Sequence, residues 1–212
     1  MQEHSHKQNR ELLVLIHGLA ANTMFLRPLE RHFSRLGFNV LNWGYPSIRN
    51  GVEKNAQRLR QLLEDAESQS SNPRIHIVAH SMGSIVTRAA LTAYLPAMLG
   101  RVVLLGPPNR GSPVARRLAP ALGRLCPALH DLSDVPASLV NQLPVPENYS
   151  FGIIAAAYDR VVPLANTHLE TESDHLVLPF GHGSMLFQAA VADAVHCFLT
   201  GGQFCPAFVG LA

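Results

Sequence analysis

Ser81 lies in a pattern that can activate a serine as a nucleophile. It follows the apolar run at residues 75–79, and small residues occupy the positions two before and two after it, Ala79 and Gly83. Where a chain turns sharply from a strand into a helix, larger side chains at those positions would collide, whereas small ones leave the hydroxyl exposed. The N-terminus of the following helix then faces the negative charge that develops on a substrate oxygen. The pattern therefore predicts nucleophilic chemistry at Ser81.

The five-residue pattern is weak on its own. It arises by chance in roughly one chain in ten of this length, since glycine makes up ~7% of residues in average proteins. The surrounding sequence makes it stronger, because residues 75–79 read as a buried strand and residues 82–94 as a helix that stops before Pro96. Ser81 is therefore expected at a strand–helix junction.

Strands and helices are predicted to alternate on both sides of this junction. Apolar runs predict further strands at residues 12–16, 38–43, 101–105, 151–157 and 175–178, and helical periodicity predicts helices at residues 23–36, 52–66 and 184–199. Such alternation is typical of an α/β fold of three layers, with a mainly parallel sheet of about six strands and helices on both faces. We expect residues 1–212 to form a single domain with an insertion at about residues 109–147, where the alternation breaks.

Three stretches of this sequence resemble motifs of the α/β-hydrolase superfamily. The stretch Ala79-His80-Ser81-Met82-Gly83 resembles its nucleophile elbow G-x-S-x-G, in the form found in small bacterial lipases and esterases. His17-Gly18-Leu19 resembles the oxyanion motif after the first strand, and Pro108-Asn109-Arg110-Gly111-Ser112 resembles a lipase loop after the fourth, although Asn109 often corresponds to histidine there. The resemblance extends from about residue 11 to about residue 199 and implies the α/β-hydrolase fold.

The resemblance also implies an acid and a base, because the family's chain order is Ser, then Asp or Glu, then His. The acid follows the next-to-last strand, where this chain has Asp159, and the base follows the last strand, where His182 stands between two glycines. We expect His80 to point away from the reaction. Of the other acids considered, Asp131 and Asp134 lie in the insertion, Asp174 precedes the last strand and Asp193 lies in the last helix. Of the other histidines, His168 precedes the last strand, His175 enters it too early and His196 lies in the last helix.

The oxyanion motif implies two backbone donors for the negatively charged oxygen of the reaction intermediate. These are the N–H groups of Leu19, which follows His17-Gly18, and of Met82, which follows the nucleophile. Their side chains are free to vary, because the backbone provides the hydrogen bonds, and such donors typically lower the barrier by several kcal/mol. His17 and Arg110 are expected to make structural hydrogen bonds.

The insertion combines arginines with leucines at near-helical spacing. Between Asn109 and Leu129 there is no acidic residue, and apolar residues recur among four arginines. Insertions at this place in the fold usually form a cap over the active site. A short basic amphipathic cap predicts weak contact of Arg116 and Arg117 with an anionic membrane surface. The alternative is an ordinary cap helix with solvated arginines.

Composition excludes several classes of protein. With 47% hydrophobic and 15% charged residues the chain is globular, and its net charge of +2 is too small to predict nucleic-acid binding. No apolar run reaches the ~18 residues of a membrane span. The first residues are polar and lack the apolar core of a signal peptide. We therefore expect a cytoplasmic protein, or one whose leader is missing from this sequence.

The three cysteines, Cys126, Cys197 and Cys205, match no metal motif. We expect two or three of them to be free thiols, as is usual in the cytoplasm. A bridge between Cys197 and Cys205 is left open.

Together these residues predict a serine hydrolase that cleaves carboxylic esters, either small molecules or lipids, through an acyl-enzyme. The mechanism requires neither a cofactor nor a metal. A thioesterase, an amidase or an acyltransferase would use the same triad. A non-catalytic binding protein of this fold is a further alternative, although no triad residue is missing from the sequence. Fold alone does not fix the substrate.

Overall fold

Six parallel strands form one sheet in the computed structural model, which describes residues 10–69 and 74–205. The strands are β1 (Leu12–Ile16), β2 (Asn39–Trp43), β3 (Ile75–His80), β4 (Leu99–Leu105), β5 (Phe151–Ala156) and β6 (Asp174–Leu178). Their order across the sheet is β2-β1-β3-β4-β5-β6, and each neighbouring pair is parallel. The predicted fold class is confirmed. Because all strands point the same way, the loops after their carboxyl ends meet at one edge.

The helices in the described part of the chain are α1 (Arg27–Arg35), α2 (Val52–Ser68), α3 (Met82–Ala93), α4 (Pro113–Leu122), α5 (Ala128–Asp131), α6 (Leu139–Gln142) and α7 (Ala189–Gly201). The helix predicted at residues 23–36 begins as a 3-10 turn, because Pro28 has no N–H to continue an α-helix from that turn. The helix predicted at residues 184–199 is interrupted at Gln188, whose backbone is extended. None of these helices combines the length and apolarity needed to cross a membrane.

Two buried layers lie on opposite faces of the sheet. Alternate residues of β1 point to opposite faces, so Val14 packs with α2 and α3, whereas Leu13 packs with α1 and α7. All five residues of β1 are buried, as expected for a strand covered on both faces. Burying a side chain such as Leu13 contributes about 1.5–3 kcal/mol to stability. The three layers therefore hold the strand ends in fixed positions.

The insertion at residues 109–147 contains the short helices α4, α5 and α6. Helix α4 buries its small residues Ala115 and Ala119. Its leucines face outward, since Leu118 is 42% exposed, Leu122 is 43% exposed and the following Leu125 is 73% exposed. Spacing alone does not distinguish the buried side of this helix from its exposed side.

Arg88 in α3 connects the two ends of the insertion. Its Nη1 donates to the backbone and side-chain oxygens of Asn109, 3.3 and 3.2 Å away, and its Nη2 donates to the carbonyl oxygen of Pro144 at 3.3 Å. The side chain is only 2% exposed, and this burial lowers the pKa of Arg88 to about 10. A buried cation without hydrogen bonds would be costly, so these three contacts fix the roots of the insertion.

Cys197 and Cys205 form a disulfide, with their Cα atoms 5.9 Å apart, whereas Cys126 is free and buried. The expectation of two or three free thiols is therefore wrong. Gly202 takes the left-handed conformation, with φ of 84°, and turns the chain back along α7. Disulfides persist mainly in oxidising compartments, and the cytoplasmic location stays a prediction.

Candidate active site

Ser81 occupies the junction between β3 and α3 in a strained conformation. Its φ of 54° and ψ of −123° are unusual for a residue with a side chain, and its N–H donates to the carbonyl oxygen of Leu105 at 2.9 Å. Gly83 permits this turn, because a Cβ at that position would lie 2.6 Å from the carbonyl oxygen of His17. The strain holds the hydroxyl at the N-terminus of α3, where the helix dipole favours negative charge.

The structure brings Ser81, His182 and Asp159 together in one hydrogen-bonded series. His182 Nε2 lies 2.8 Å from Ser81 Oγ, and His182 Nδ1 lies 2.6 Å from Asp159 Oδ2. Since Asp159 accepts a hydrogen bond from the Nδ1–H of His182, Nε2 has a lone pair to accept the hydroxyl proton of Ser81. This arrangement can transfer a proton away from the serine.

Two backbone N–H groups and His182 hold the Asp159 carboxylate. Oδ1 accepts hydrogen bonds from the N–H groups of Val161 and Val162, each at 2.8 Å, while Oδ2 faces His182. Burial opposes ionisation of this group, but the hydrogen bond and charge of His182 and the two N–H groups outweigh it. The pKa of Asp159 is therefore below its ordinary value. The carboxylate stays ionised and keeps the imidazole in one orientation.

His80 points away from Ser81 Oγ, toward the loop of His182. Its Nε2 lies 2.9 Å from the carbonyl oxygen of His182, and its Nδ1 is buried without a hydrogen-bond partner. Complete burial, with a smaller contribution from the charge of His182, lowers the pKa of His80 to about 3. The ring is therefore neutral near pH 7, and its proton must be on Nε2 to make this bond.

Gly106 is a residue of the site that the sequence analysis missed. It follows β4 with φ of 52°, and its N–H donates to Ile154 at 2.8 Å. A Cβ here would lie 3.2 Å from His182 Nδ1 and 3.6 Å from Asp159 Oδ2. Glycine adopts this conformation without strain and leaves room for the imidazole–carboxylate pair. The glycine directly after a predicted strand was the available signal.

The stretch of His17, Gly18 and Leu19 lies against the serine. A Cβ on Gly18 would lie 3.0 Å from Ser81 Cβ, so this loop passes directly beside the nucleophile. His17 donates from Nδ1 to the carbonyl oxygen of Gly18 at 2.9 Å and stacks on Tyr45 with ring centroids 4.3 Å apart. Tyr45 in turn donates its hydroxyl to the carbonyl oxygen of His17 at 2.6 Å. These contacts fix the loop and give His17 a structural place, as expected.

The two predicted oxyanion donors, Leu19 and Met82, directly follow the two residues that approach each other here, Gly18 and Ser81. Met82 is buried at the first position of α3, and Leu19 packs partly buried against the core. Ala20, which follows Leu19, has φ of 53°, so the chain turns tightly there. The roles of Leu19 and Met82 stay predictions.

The loop at residues 108–112 holds the segment that follows Asp159. Asn109 Nδ2 donates to the carbonyl oxygen of Thr167 at 2.6 Å, and Ser112 Oγ donates to that of Val161, also at 2.6 Å. Arg110 contributes its backbone N–H to Asn166 at 2.9 Å, and its side chain is exposed. Arg110 thus makes a structural hydrogen bond through its backbone, whereas Asn109 and Ser112 make side-chain hydrogen bonds from this loop.

The rival acids and histidines have partners elsewhere. Asp131 accepts from the N–H of Val52 at the start of α2, and Asp134 pairs with Arg116. The remaining contacts join Asp174 to Phe204, Asp193 to His32, His168 to Glu172, His175 to Thr167 and His196 to Phe38.

A surface cavity of about 550 Å³ lies at the far end of α3 from Ser81, beside Tyr94 and Tyr149.

A family model covers most of this chain. The model described as "Domain of unknown function (DUF7379)" matches residues 1–169. No curated protein is significantly similar to the chain in sequence.

Several solved structures share the fold at low sequence identity. The mature form of a Bacillus licheniformis lipase has a TM-score of 0.66 and 16% identity, over 87% of this chain and 89% of that one. Aspergillus fumigatus lipase B has a TM-score of 0.76 and 15% identity, over 95% of this chain but only 55% of the lipase. A hydrolase from Pseudomonas aeruginosa has a TM-score of 0.65 and 19% identity, over 91% of each chain. These similarities show an α/β-hydrolase fold.

Proposed function

Because this chain belongs to the family described as a domain of unknown function (DUF7379), whose description states no activity, we propose its function from its own site. We propose that it is a serine hydrolase that cleaves carboxylic esters. The observation that carries the proposal is the series of two hydrogen bonds, at 2.8 and 2.6 Å, that links Ser81 through His182 to Asp159. Lipases and other hydrolases among the structures of the same fold support it as an analogy.

The first step is attack by Ser81 on the ester carbonyl carbon. His182 Nε2 accepts the hydroxyl proton while Oγ forms the new bond, and the ionised Asp159 stabilises the resulting imidazolium. Because the lowered pKa of Asp159 keeps it ionised at neutral pH, this stabilisation is present before the substrate binds. Little reorganisation is then needed during the reaction.

The developing oxyanion is stabilised by the N–H groups of Leu19 and Met82. The close approach of Gly18 to Ser81 and the position of Ser81 at the start of α3 support this assignment. Each such donor is typically worth about 3–4 kcal/mol of barrier in related chemistry.

The second half of the reaction releases both products. His182 gives its proton to the leaving alcohol, and the acyl group remains on Ser81 Oγ. Water then attacks the acyl carbon as His182 accepts one of its protons, and His182 returns that proton to Ser81 Oγ as the bond between Oγ and the acyl group breaks and the acid leaves. His182 carries every proton transfer in these steps and the two backbone donors only stabilise the oxyanion, so the proposal requires neither cofactor nor metal.

Exposed apolar side chains follow the strand ends that surround Ser81. Met24 is 62% exposed after β1, Tyr158 is 69% exposed after β5, and Phe187 is 55% exposed after β6. An apolar rim of this kind suits the acyl chain of an ester. Each additional buried CH₂ of that chain adds ~0.8 kcal/mol only while it is covered. We therefore propose short or medium acyl chains as the preferred substrates.

The insertion is proposed to act as a small cap and to make weak contact with an anionic membrane surface. The outward leucines of α4 beside Arg117, an exposed residue, support this proposal. Arg116 supports it less, because its Nε lies 2.7 Å from Asp134 Oδ1. Exchange of Arg117 for Glu should weaken binding to vesicles that contain anionic lipid and leave turnover of water-soluble esters unchanged. Equal vesicle binding by both proteins would contradict it.

A panel of p-nitrophenyl esters of increasing acyl length tests the proposed activity. Wild-type protein should hydrolyse them, with a maximum at short or medium length, and should be labelled by a fluorophosphonate probe. Ser81→Ala should lose at least ~10³-fold in kcat and should not be labelled. The matched control Ser68→Ala changes an exposed serine at the end of α2 and should behave like wild type. Labelling that survives Ser81→Ala would contradict the proposal.

Thioester and amide substrates with the same acyl chain separate the alternatives. Faster turnover of the thioester or the amide would replace the ester assignment while leaving the triad in place. Transfer of the acyl group to an added alcohol in preference to water would indicate an acyltransferase.

A further inference from the structure

Two histidines and a glutamate converge on the connection between β5 and β6, in a cluster separate from the site around Ser81. They are His168, Glu172 and His175, and one ligand atom from each lies within 4.8 Å of the others. We propose that these three side chains bind a divalent transition-metal ion, with Zn²⁺ the best match. Two imidazoles and one carboxylate form a ligand set that Zn²⁺ uses in proteins, and imidazole selects against Mg²⁺ and Ca²⁺.

Glu172 is held in place by the backbone. Its Oε2 accepts a hydrogen bond from the N–H of Leu169 at 2.8 Å, which leaves Oε1 to face His168 Nδ1 at 2.8 Å. The Glu172 side chain is 13% exposed. Its carboxylate is therefore oriented before any ion binds, with one oxygen directed at the cluster.

His175 is held as one tautomer by Thr167. The single hydroxyl proton of Thr167 is donated to the carbonyl oxygen of Leu164 at 2.7 Å, so its oxygen must accept from His175 Nε2 at 3.0 Å. Nε2 thus carries the ring proton, and Nδ1 has the lone pair that a metal ion requires. An outer hydrogen bond that fixes the tautomer in this way is typical of metal-binding histidines.

His168 supplies the adjustable third ligand. Ligands at ~2.0–2.1 Å from a tetrahedral Zn²⁺ lie roughly 3.3 Å apart, so His168 Nδ1 must withdraw from Glu172 by about half an ångström. The His168 side chain is 47% exposed and stacks on the ring of His175 with centroids 3.8 Å apart. Because an imidazole binds a metal ion in the plane of its ring, the His168 ring must also rotate out of this stack, which its position at the surface permits, and water would complete the coordination.

The bound ion would connect two segments that lead to the triad. His168 and Glu172 lie on the connection that carries Asp159, whereas His175 lies on β6, after which the chain continues to His182. An ion that bridges them would fix the connection against the sheet. This inference does not depend on the reaction proposed for Ser81.

Calorimetric titration of the chelator-treated chain with Zn²⁺ tests the site directly. Wild-type protein should bind one equivalent more than Glu172→Gln or His168→Ala, or should bind it at least tenfold more tightly than they do. Thr167→Val should weaken binding by roughly 10- to 100-fold, because it removes the outer hydrogen bond. The control His196→Gln, which changes a histidine of α7, should bind like wild type. The remaining histidines are common to all these proteins, so the difference reports this cluster.

Co²⁺ provides a second measurement that does not depend on stability. Wild-type protein should give visible ligand-field absorption of a tetrahedral or five-coordinate ion, and Glu172→Gln and His168→Ala should not. Circular dichroism should show that both variants are folded. Identical Zn²⁺ titrations for wild type and both variants would overturn the proposal, as would Mg²⁺ or Ca²⁺ binding at this cluster as tightly as Zn²⁺.

Discussion

His80 donates its Nε2–H to the backbone carbonyl oxygen of His182, 2.9 Å away, although 102 residues separate them in sequence. The residue before the proposed nucleophile thus positions the loop that carries the proposed base. The two rings lie with their centroids 4.9 Å apart, so a shift of one displaces the other.

Loss of this hydrogen bond should reduce catalysis. Replacing His80 with alanine frees the His182 loop, and misplacement of a reacting group by an ångström costs up to about 10²-fold in rate. We expect kcat for ester hydrolysis to fall roughly 10- to 100-fold with little change in KM. His80→Gln retains an N–H donor near the position of Nε2 and should recover most of the activity. Equal losses in both variants would argue against a positioning role.

Stability should depend on pH through the same residue. An unfolded histidine titrates near ~6.5, whereas the pKa of His80 in the folded chain is about 3. Between these values the unfolded state binds a proton that the folded state does not, so the free energy of unfolding decreases as pH falls. The slope from His80 is ~1.4 kcal/mol per pH unit. Above pH ~6.5 its contribution is complete.

Urea unfolding of wild type and His80→Gln from pH 4 to pH 8 measures this slope. Below pH ~6.5 the free energy of unfolding of the variant should depend on pH less steeply, by the slope that corresponds to about one proton. Other buried histidines, such as His17 and His76, whose pKa values burial also lowers, contribute equally to both proteins. Parallel curves for the two proteins would contradict the assignment.

Asp159→Asn should leave the fold intact and remove most of the activity. The N–H groups of Val161 and Val162 require an oxygen on their side, so the amide NH₂ would face His182 Nδ1 as a donor and His182 would present the wrong tautomer to Ser81. The equivalent change in a Ser-His-Asp protease lowers kcat by about 10⁴-fold, and we expect a loss of that order. Asp134→Asn changes a surface acid that pairs with Arg116 and should have little effect. Comparable losses of activity in the two variants would show that Asp159 does not orient His182 for the reaction.

Gly106→Ala should damage the site through a single methyl group. The added Cβ would lie 3.2 Å from His182 Nδ1, and φ of 52° is strained for alanine. The strain alone costs roughly 1–2 kcal/mol of stability, and the contact should lower kcat at least ~10-fold by moving His182. At Gly183, next to His182, a Cβ would meet open space, so Gly183→Ala is the matched control. If both variants keep wild-type kcat, Gly106 does not shape the site.

Reduction should lower the stability of the chain. The disulfide between Cys197 and Cys205 closes a short loop, and its removal should cost about 2 kcal/mol. This corresponds to a decrease in Tm of roughly 4–8 °C for a chain of this size. Thermal unfolding with and without reductant measures it, and reductant should leave Cys205→Ser unchanged. Three titratable thiols in the unreduced, denatured chain would mean that the bridge does not form.

The strands and Ser81 were predictable because their signals are local. A strand buried on both faces needs a continuous apolar run, and β1, which is predicted and observed at residues 12–16, is such a run. The sharp turn at Ser81 needs small neighbours, which the sequence shows directly. Hydrogen bonds join Ser81, Asp159 and His182, the three residues implied by the family resemblance, and their catalytic roles stay predictions.

Features that depend on distant parts of the chain were not predictable in this way. The need for glycine at position 106 arises from the His182 ring, 76 residues further along the chain. The metal-binding cluster depends on a turn that brings His168 toward His175, and the bridge to Cys205 depends on the reversal at Gly202. The exposed leucines of α4 were not predictable for the same reason. Periodicity identifies the apolar side of a helix but not whether that side faces the core or the solvent.

The contacts of Arg88 have a consequence for engineering this chain. One guanidinium holds Asn109 and Pro144, so the polypeptide between them leaves the body and returns to it at nearly the same point. A segment of different length between these anchors would therefore not separate the ends, provided that it keeps the core contacts of residues such as Leu129 and the hydrogen bond from Val52 to Asp131. A graft that begins before Ser112 would instead release Val161 and disturb the carboxylate turn at Asp159. The position of Ser112 thus marks the N-terminal limit of any such exchange.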